Sequence, residues 1–66
     1  MTATELAATA EIDQVPVGLG MAKEYRATLR GGGGSAALGY GATEDEARAS
    51  LARTIQFNLD HNGAAI

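Results

Sequence analysis

The sequence predicts an α+β fold in which a small antiparallel sheet of two to three strands packs on one C-terminal α-helix. Three observations lead to this prediction. Residues 23–30 alternate polar and apolar side chains, residues 36–41 repeat that period of two after a run of glycines, and residues 43–62 carry apolar side chains at helical spacing. The 66 residues are enough for a single domain, covering residues 1–66.

The N-terminal residues 1–14 leave two structures open. Thr2 and Glu5 have the spacing of a helix-capping box before an alanine-rich run, whereas Thr9, Ile12 and Val15 suit an extended chain. Because proline interrupts a helix, we expect residues 15–20 to form a short extended piece that ends near the glycines at 18 and 20.

The hairpin is predicted from two alternating segments. In the first segment one face carries Tyr25, Ala27 and Leu29. The glycines at 31–34 permit a chain reversal with positive φ angles. In the second segment the two faces carry different sets of side chains, Ala36, Leu38 and Tyr40 on one and Ala37, Gly39 and Gly41 on the other.

The C-terminal helix is predicted from its beginning, its apolar stripe and its end. Thr43 and Glu46 form a second capping box, with Glu44 and Asp45 in the first turn, where the helix dipole favours acidic groups. Asn62 and Gly63 indicate a C-terminal stop, and residues 64–66 are interpreted as a tail. The predicted core stripe consists of Ala47, Leu51, Ala52, Ile55 and Leu59.

Two side chains of this helix need separate predictions. Arg48 falls within the angular range of the stripe, and we expect its stem to lie along the sheet edge with its guanidinium in water. Phe57 lies away from the stripe, which indicates burial either in an interface or under the N-terminal segment.

The composition bounds the classes of function. Fourteen of the thirty hydrophobic residues are alanine, there are nine glycines, and the net charge is −3. So thin a core indicates that self-association or a partner supplies further burial, and we expect a homodimer. The lack of cysteine excludes disulfides, thiolate zinc sites and thiol nucleophiles, and it favours a cytoplasmic location. The charge disfavours nucleic acid, and no apolar run is long enough to span a membrane.

The glycine run does not match a phosphate-binding loop. Gly34 and Gly39 have the separation of a P-loop, but Tyr40 stands where the lysine is required. Glu44 and Asp45 would repel a phosphate at the start of the helix. We therefore predict a hairpin turn and no cofactor.

The residues from Gly39 onward resemble two families. GYGATEDEARASLA is similar to the start of the last helix in double-stranded-RNA-binding domains, but Glu44 and Asp45 replace the lysines that bind phosphate there. Gly41, Thr43, Glu46 and Ala47 resemble the turn into the helix of HicB-like antitoxins, and the likeness covers residues 23–60. These resemblances imply a β-β-α unit, and the second implies a protein that binds and inhibits a toxin.

No catalytic or metal-ligating set is predicted. The single histidine, His61, lies near the end of the helix without a recognisable triad or ligand set around it, and consecutive acidic residues on a helix diverge. We therefore expect that the protein is not an enzyme. The predicted partner-binding residues are Phe57, Arg26, Arg30, Arg53 and Tyr40.

Two functional hypotheses follow. The first is a small non-catalytic protein-interaction module that binds and regulates or inhibits a partner protein, either antitoxin-like or of the type that phages and mobile elements encode. The alternative is a nucleic-acid-binding domain of the double-stranded-RNA-binding type, which would use Arg26, Arg30, Arg48 and Arg53 on phosphates.

Overall fold

A computed structural model describes residues 2–16 and 23–66. The elements are α1 (Ala3–Ala8), β1 (Glu11–Pro16), β2 (Lys23–Arg30), β3 (Ala36–Gly41) and α2 (Glu44–Asn62), with a 3₁₀ turn at Gly32–Gly34. The three strands form one antiparallel sheet in the order β1-β2-β3. The predicted α+β fold, with α2 packed on the sheet, is confirmed.

The N-terminal segment contains both of the structures that its sequence suggests, one after the other. The amide of Glu5 donates to Thr2 Oγ1 over 3.1 Å, and the amide of Thr2 donates to Glu5 Oε1 over 2.9 Å, so the capping box begins α1. The chain is then extended as β1, which pairs with β2 and supplies the third strand. Residues 15 and 16 of the predicted extended piece belong to β1, and its remaining residues lie outside the described ranges.

The glycine run forms the hairpin turn that was predicted. Gly33 and Gly34 have φ angles of 68° and 85°, which side chains rarely allow. The amide of Gly31 donates to the carbonyl oxygen of Ser35 over 2.8 Å and closes the turn. The β2–β3 pairing therefore runs without a break from Arg30 opposite Ala36 to Tyr25 opposite Gly41.

Helix α2 lies directly on β3, and glycine makes this contact possible. A Cβ atom added to Gly39 would be 2.2 Å from the backbone nitrogen of Leu51 and 2.7 Å from the carbonyl oxygen of Ala47. The side of β3 that carries Gly39 therefore faces the helix. Leu38 and Tyr40 point to the opposite face because successive side chains of a strand alternate.

The core is small and consists mainly of alanine. Leu51 and Ile55 are the largest fully buried side chains among the described residues. The predicted stripe is confirmed: Ala47, Leu51 and Ile55 are buried, and Ala52 and Leu59 pack against them. The last residues fold back on this core, with Asn58 Nδ2 donating to the Ala65 carbonyl oxygen over 2.8 Å and Ile66 half-buried.

The prediction that the guanidinium of Arg48 lies in water was wrong. Its Nη1 donates to the carbonyl oxygens of Ala7 and Ala8, both over 2.9 Å, and to that of Ala10 over 3.4 Å. Ala7 and Ala8 are the last residues of α1 and Ala10 lies just beyond it, at the end where a helix presents carbonyl oxygens. Arg48 thus joins α2 to α1 through charge-assisted hydrogen bonds, with its positive charge at the end of α1 where the helix dipole favours a cation.

Candidate protein-interaction surfaces

One face of the sheet carries neither helix, and we call it the open face. The strand register fixes its members, because paired residues share a face and α2 covers the face of Ala27 and Gly39. The open face therefore comprises Glu11, Asp13, Val15, Glu24, Arg26, Thr28, Arg30, Ala36, Leu38 and Tyr40. Three of the five predicted partner-binding residues, Arg26, Arg30 and Tyr40, meet on it.

The arginines of the open face are paired with carboxylates of β1. Arg26 donates through Nε to Asp13 Oδ1 over 3.0 Å and through Nη2 to Asp13 Oδ2, which makes a bidentate pair between residues directly opposite in the register. These hydrogen bonds from Arg26 hold the pKa of Asp13 below its usual value. Arg30 Nε donates to Glu11 Oε2 over 3.3 Å, in a pair that is more exposed to solvent.

Two large apolar side chains stand beside these ion pairs. Leu38 is 40% exposed and Tyr40 is 45% exposed, and both project from β3. Tyr40 lies opposite Arg26, and Leu38 lies opposite Thr28, which is buried between the strands on either side of it. A sheet holds these groups in fixed positions, so the open face presents an apolar pair with charged neighbours. The predicted set of partner-binding residues does not include Leu38, although Leu38 is two residues from Tyr40 and therefore shares its face of the strand.

The other two predicted residues, Phe57 and Arg53, lie on α2. Phe57 is 58% exposed and stacks on His61, with ring centroids 4.1 Å apart and an interplanar angle of 19°. His61 Nδ1 lies 2.9 Å from the Phe57 carbonyl oxygen. Phe57 is therefore not buried under the N-terminal segment, and the interface alternative stays a prediction.

The direction in which Phe57 points from the axis of α2 follows from its separation from Arg48 in the sequence. The two residues are nine apart, and at about 100° per residue they point in opposite directions from the helix axis. Arg48 points towards α1. Phe57 thus points away from α1 and also away from the buried stripe that includes Leu51 and Ile55.

The beginning of α2 is acidic and capped within the chain. Glu46 donates its amide to Thr43 Oγ1 over 3.1 Å, and Glu46 Oε2 accepts from the amide of Ala42 over 3.0 Å. Glu44 and Asp45 complete an exposed acidic turn. Three carboxylates already interact with the positive end of the helix dipole. Their negative charge would repel a phosphate and would attract basic groups of a partner.

The described residues contain no group of three or more histidine, cysteine, aspartate or glutamate side chains that could hold a metal ion. No helix in the described ranges is both long and apolar enough to cross a membrane. No protein-family model, curated protein or solved structure matches this chain. The likeness to HicB-like antitoxins and to double-stranded-RNA-binding domains therefore stays a prediction.

Proposed function

We propose that this chain is a small, non-catalytic protein-interaction module that binds a partner protein through its open face and regulates or inhibits that partner. The observation that carries the proposal is the exposure of Leu38 and Tyr40 side by side on the sheet. Among the described residues, only two large side chains, Leu51 and Ile55, are fully buried. Exposure of two large apolar side chains to water costs free energy, and this fold has little buried apolar area to offset it. A partner that covered Leu38 and Tyr40 would remove that cost.

The open face also indicates the chemistry of the partner. Leu38 and Tyr40 require an apolar patch opposite them, and tyrosine is a frequent anchor in protein interfaces. Around them, the Arg26–Asp13 and Arg30–Glu11 pairs place both signs of charge on the same face. A protein surface with an apolar centre and a mixed polar rim fits this pattern, and a uniformly charged polymer does not.

The in-chain contacts of the arginines favour this function over nucleic-acid binding. Of the four arginines that the alternative requires, Arg26 and Arg30 hold carboxylates and Arg48 holds three carbonyl oxygens. Binding of a duplex depends on cations that can neutralise phosphates. Releasing these arginines would cost the contacts they already make.

An antitoxin-like role and the role of a phage-type inhibitor both belong to the proposed class. The turn from Gly41 through Thr43 to Glu46 supports the antitoxin-like role by its resemblance to HicB-like proteins. In that role the open face would cover a toxin.

The test is affinity capture with matched variants. The purified chain, immobilised through an added tag, is incubated with lysate from the organism that encodes it. We expect capture of one protein in near-stoichiometric yield, its loss with Leu38→Ser/Tyr40→Ser, and its retention with Ala49→Ser/Gln56→Ser, which changes two exposed residues of α2. Circular dichroism of all three proteins confirms that each is folded.

Two outcomes would overturn the proposal. One is capture that is indifferent to the Leu38→Ser/Tyr40→Ser change. The other is failure to capture a protein together with salt-sensitive binding of duplex RNA by the purified chain, which is the result that the alternative function predicts.

A further inference from the structure

The outer edge of β3 carries backbone groups without partners at the same residues whose side chains lie on the open face. The amide of Gly31 donates to the carbonyl oxygen of Ser35, so hydrogen-bonded pairs along β2 and β3 alternate from that pair onward. Ala36, Leu38 and Tyr40 then fall at the non-hydrogen-bonded pairs, and their amides and carbonyls point outward. Among the described residues no strand lies beyond β3, and these amides make no other backbone hydrogen bond.

The opposite edge of the sheet, formed by β1, is protected from pairing. Each residue of β2 bonds to only one neighbouring strand, so the residues of β1 that point outward are Ile12, Gln14 and Pro16. Proline has no amide to donate, and Glu11 and Asp13 add charge to the same strand. Proline and charge are devices that keep a sheet edge unpaired. Strand β3 has neither, so its edge is the one suited to accept another strand.

The position of α2 limits what can pair with β3. The helix lies directly over this strand, where its backbone approaches Gly39. Paired strands are about 4.8 Å apart, whereas packed helices keep their axes about 8–10 Å apart. A second copy of this chain would bring its own α2 over its own β3, and the two helices would clash. The occupant is therefore an extended segment with no helix above it.

The flank of α2 above this edge carries small side chains. Helix α1 packs on α2 and contacts β2, so it lies towards the middle of the sheet, and the other flank of α2 faces the outer side of β3. Arg48 points towards α1. Ser50 and Thr54 lie on the other side of the buried Leu51 from Arg48 and are half-buried. Their small size leaves room for a strand beside β3.

The acidic start of α2 lies at one end of the same edge. Glu46 Oε2 accepts from the amide of Ala42, the residue after β3, so this carboxylate lies near Gly41. Glu44 and Asp45 add exposed negative charge in the same turn. The N-terminal end of a segment that runs antiparallel to β3 would pass this turn, which would attract a basic side chain there.

We propose that the partner adds an extended segment to the outer edge of β3 as a fourth, antiparallel strand, with apolar side chains against Leu38 and Tyr40 and a basic side chain near Glu46. This inference rests on the proposed function and names the part of the partner that binds. The residues with outward amides also carry the exposed side chains, so one segment covers both. Main-chain hydrogen bonds hold such a segment, and its alternate side chains give specificity.

Peptide selection tests the inference without the partner. Short random linear peptides displayed on phage are selected on the immobilised chain, and the enriched sequences are synthesised. We expect apolar residues at alternate positions and a lysine or arginine near the N-terminal end. Bound peptide should slow amide hydrogen exchange at Ala36, Leu38 and Tyr40, and it should leave exchange at Ile12 and Gln14 unchanged.

Replacement of Ala36 by proline removes one outward amide and leaves Leu38 and Tyr40 in place. Ser35 has a φ of −76° and a ψ of 151°, the conformation that a residue before proline prefers, and Ala36 is the exposed first residue of an edge strand. The fold should therefore accept Ala36→Pro, which circular dichroism verifies. We expect peptide affinity, measured by calorimetry, to fall about tenfold because a hydrogen bond is lost and the ring obstructs the incoming strand. Ala36→Ser keeps the amide and should bind as the wild type does.

Selection of no peptide, equal affinity of the two Ala36 variants, or unchanged exchange in β3 overturns the inference. Capture from lysate is scored separately with the same variants. Capture that requires Leu38 and Tyr40 but is indifferent to Ala36→Pro would mean that the partner covers the open face without adding a strand, so the proposed function would stand alone. Peptide binding at the β3 edge without capture of any protein would defeat the proposed function and leave the strand-accepting edge standing.

Discussion

At Gly39 the backbone of the sheet meets the backbone of a helix with no side chain between them. Gly41 repeats this contact one turn earlier, where an added Cβ atom would lie 2.5 Å from the Cβ atom of Glu46. The close approach lets the small side chains of Ala27 and Ala47 complete the core, which larger ones would overfill. It also directs Leu38 and Tyr40 to the open face, so the residues that make the fold compact also create the candidate binding surface.

Replacement of Gly39 by alanine tests this contact. The added Cβ atom would overlap backbone atoms of α2, which cannot move aside as a flexible side chain can. We expect a loss of about 1–3 kcal/mol in the free energy of unfolding, the usual cost of overpacking, measured by urea denaturation. Gly32→Ala is the control, because its Cβ atom would meet nothing within 4 Å. Equal stability of the two variants would contradict the close packing of α2 on β3.

At the scale of elements, the hairpin and α2 could be predicted because their signals are local. The period of two, the glycine turn, the Thr43 cap and the Gly63 stop all lie within the segments that they define. The N-terminal segment could not be settled in this way, since its cap and its extended run predict different structures for neighbouring residues. The hydrogen bonds from Arg48 to α1 could not be predicted from a local pattern either, because their acceptors are about forty residues away in sequence.

Because Arg48 attaches α2 to α1, removal of its guanidinium should destabilise α1 locally. Arg48→Met keeps an apolar stem of similar length and removes the donors to Ala7, Ala8 and Ala10. We expect a loss of about 1.5–3 kcal/mol, the value for hydrogen bonds to charged groups, with faster amide exchange in α1 than in β2. Arg53→Met removes the same charge from the other side of α2 and should leave exchange in α1 unchanged. Uniform acceleration in all elements would show that Arg48 does not act through α1.

In the described part of the molecule, the large apolar side chains that are exposed outnumber those that are fully buried. Leu51 and Ile55 are fully buried, while Leu38, Tyr40 and Phe57 remain at least 40% exposed. Short helices and small cores give small domains little stability to spare. The composition alone predicted a small core. Which large apolar side chains would be exposed could not be predicted from it, because that depends on the packing of α2 against Gly39. Leu38 and Tyr40 lie on the open face and Phe57 lies on α2, and contact with a partner would add burial at either place.

The stability of the whole fold should therefore depend on very few side chains. Leu51→Ala removes one of the two large side chains that are fully buried among residues 2–16 and 23–66, and such changes cost about 2–5 kcal/mol, a large part of the stability of a small domain. We expect the melting temperature to fall by at least about 8 °C, followed by circular dichroism at a protein concentration low enough to avoid association. Leu38→Ala makes the same change at a side chain that is 40% exposed and should shift melting much less. Similar shifts in both variants would mean that the core is not centred where α2 crosses the sheet.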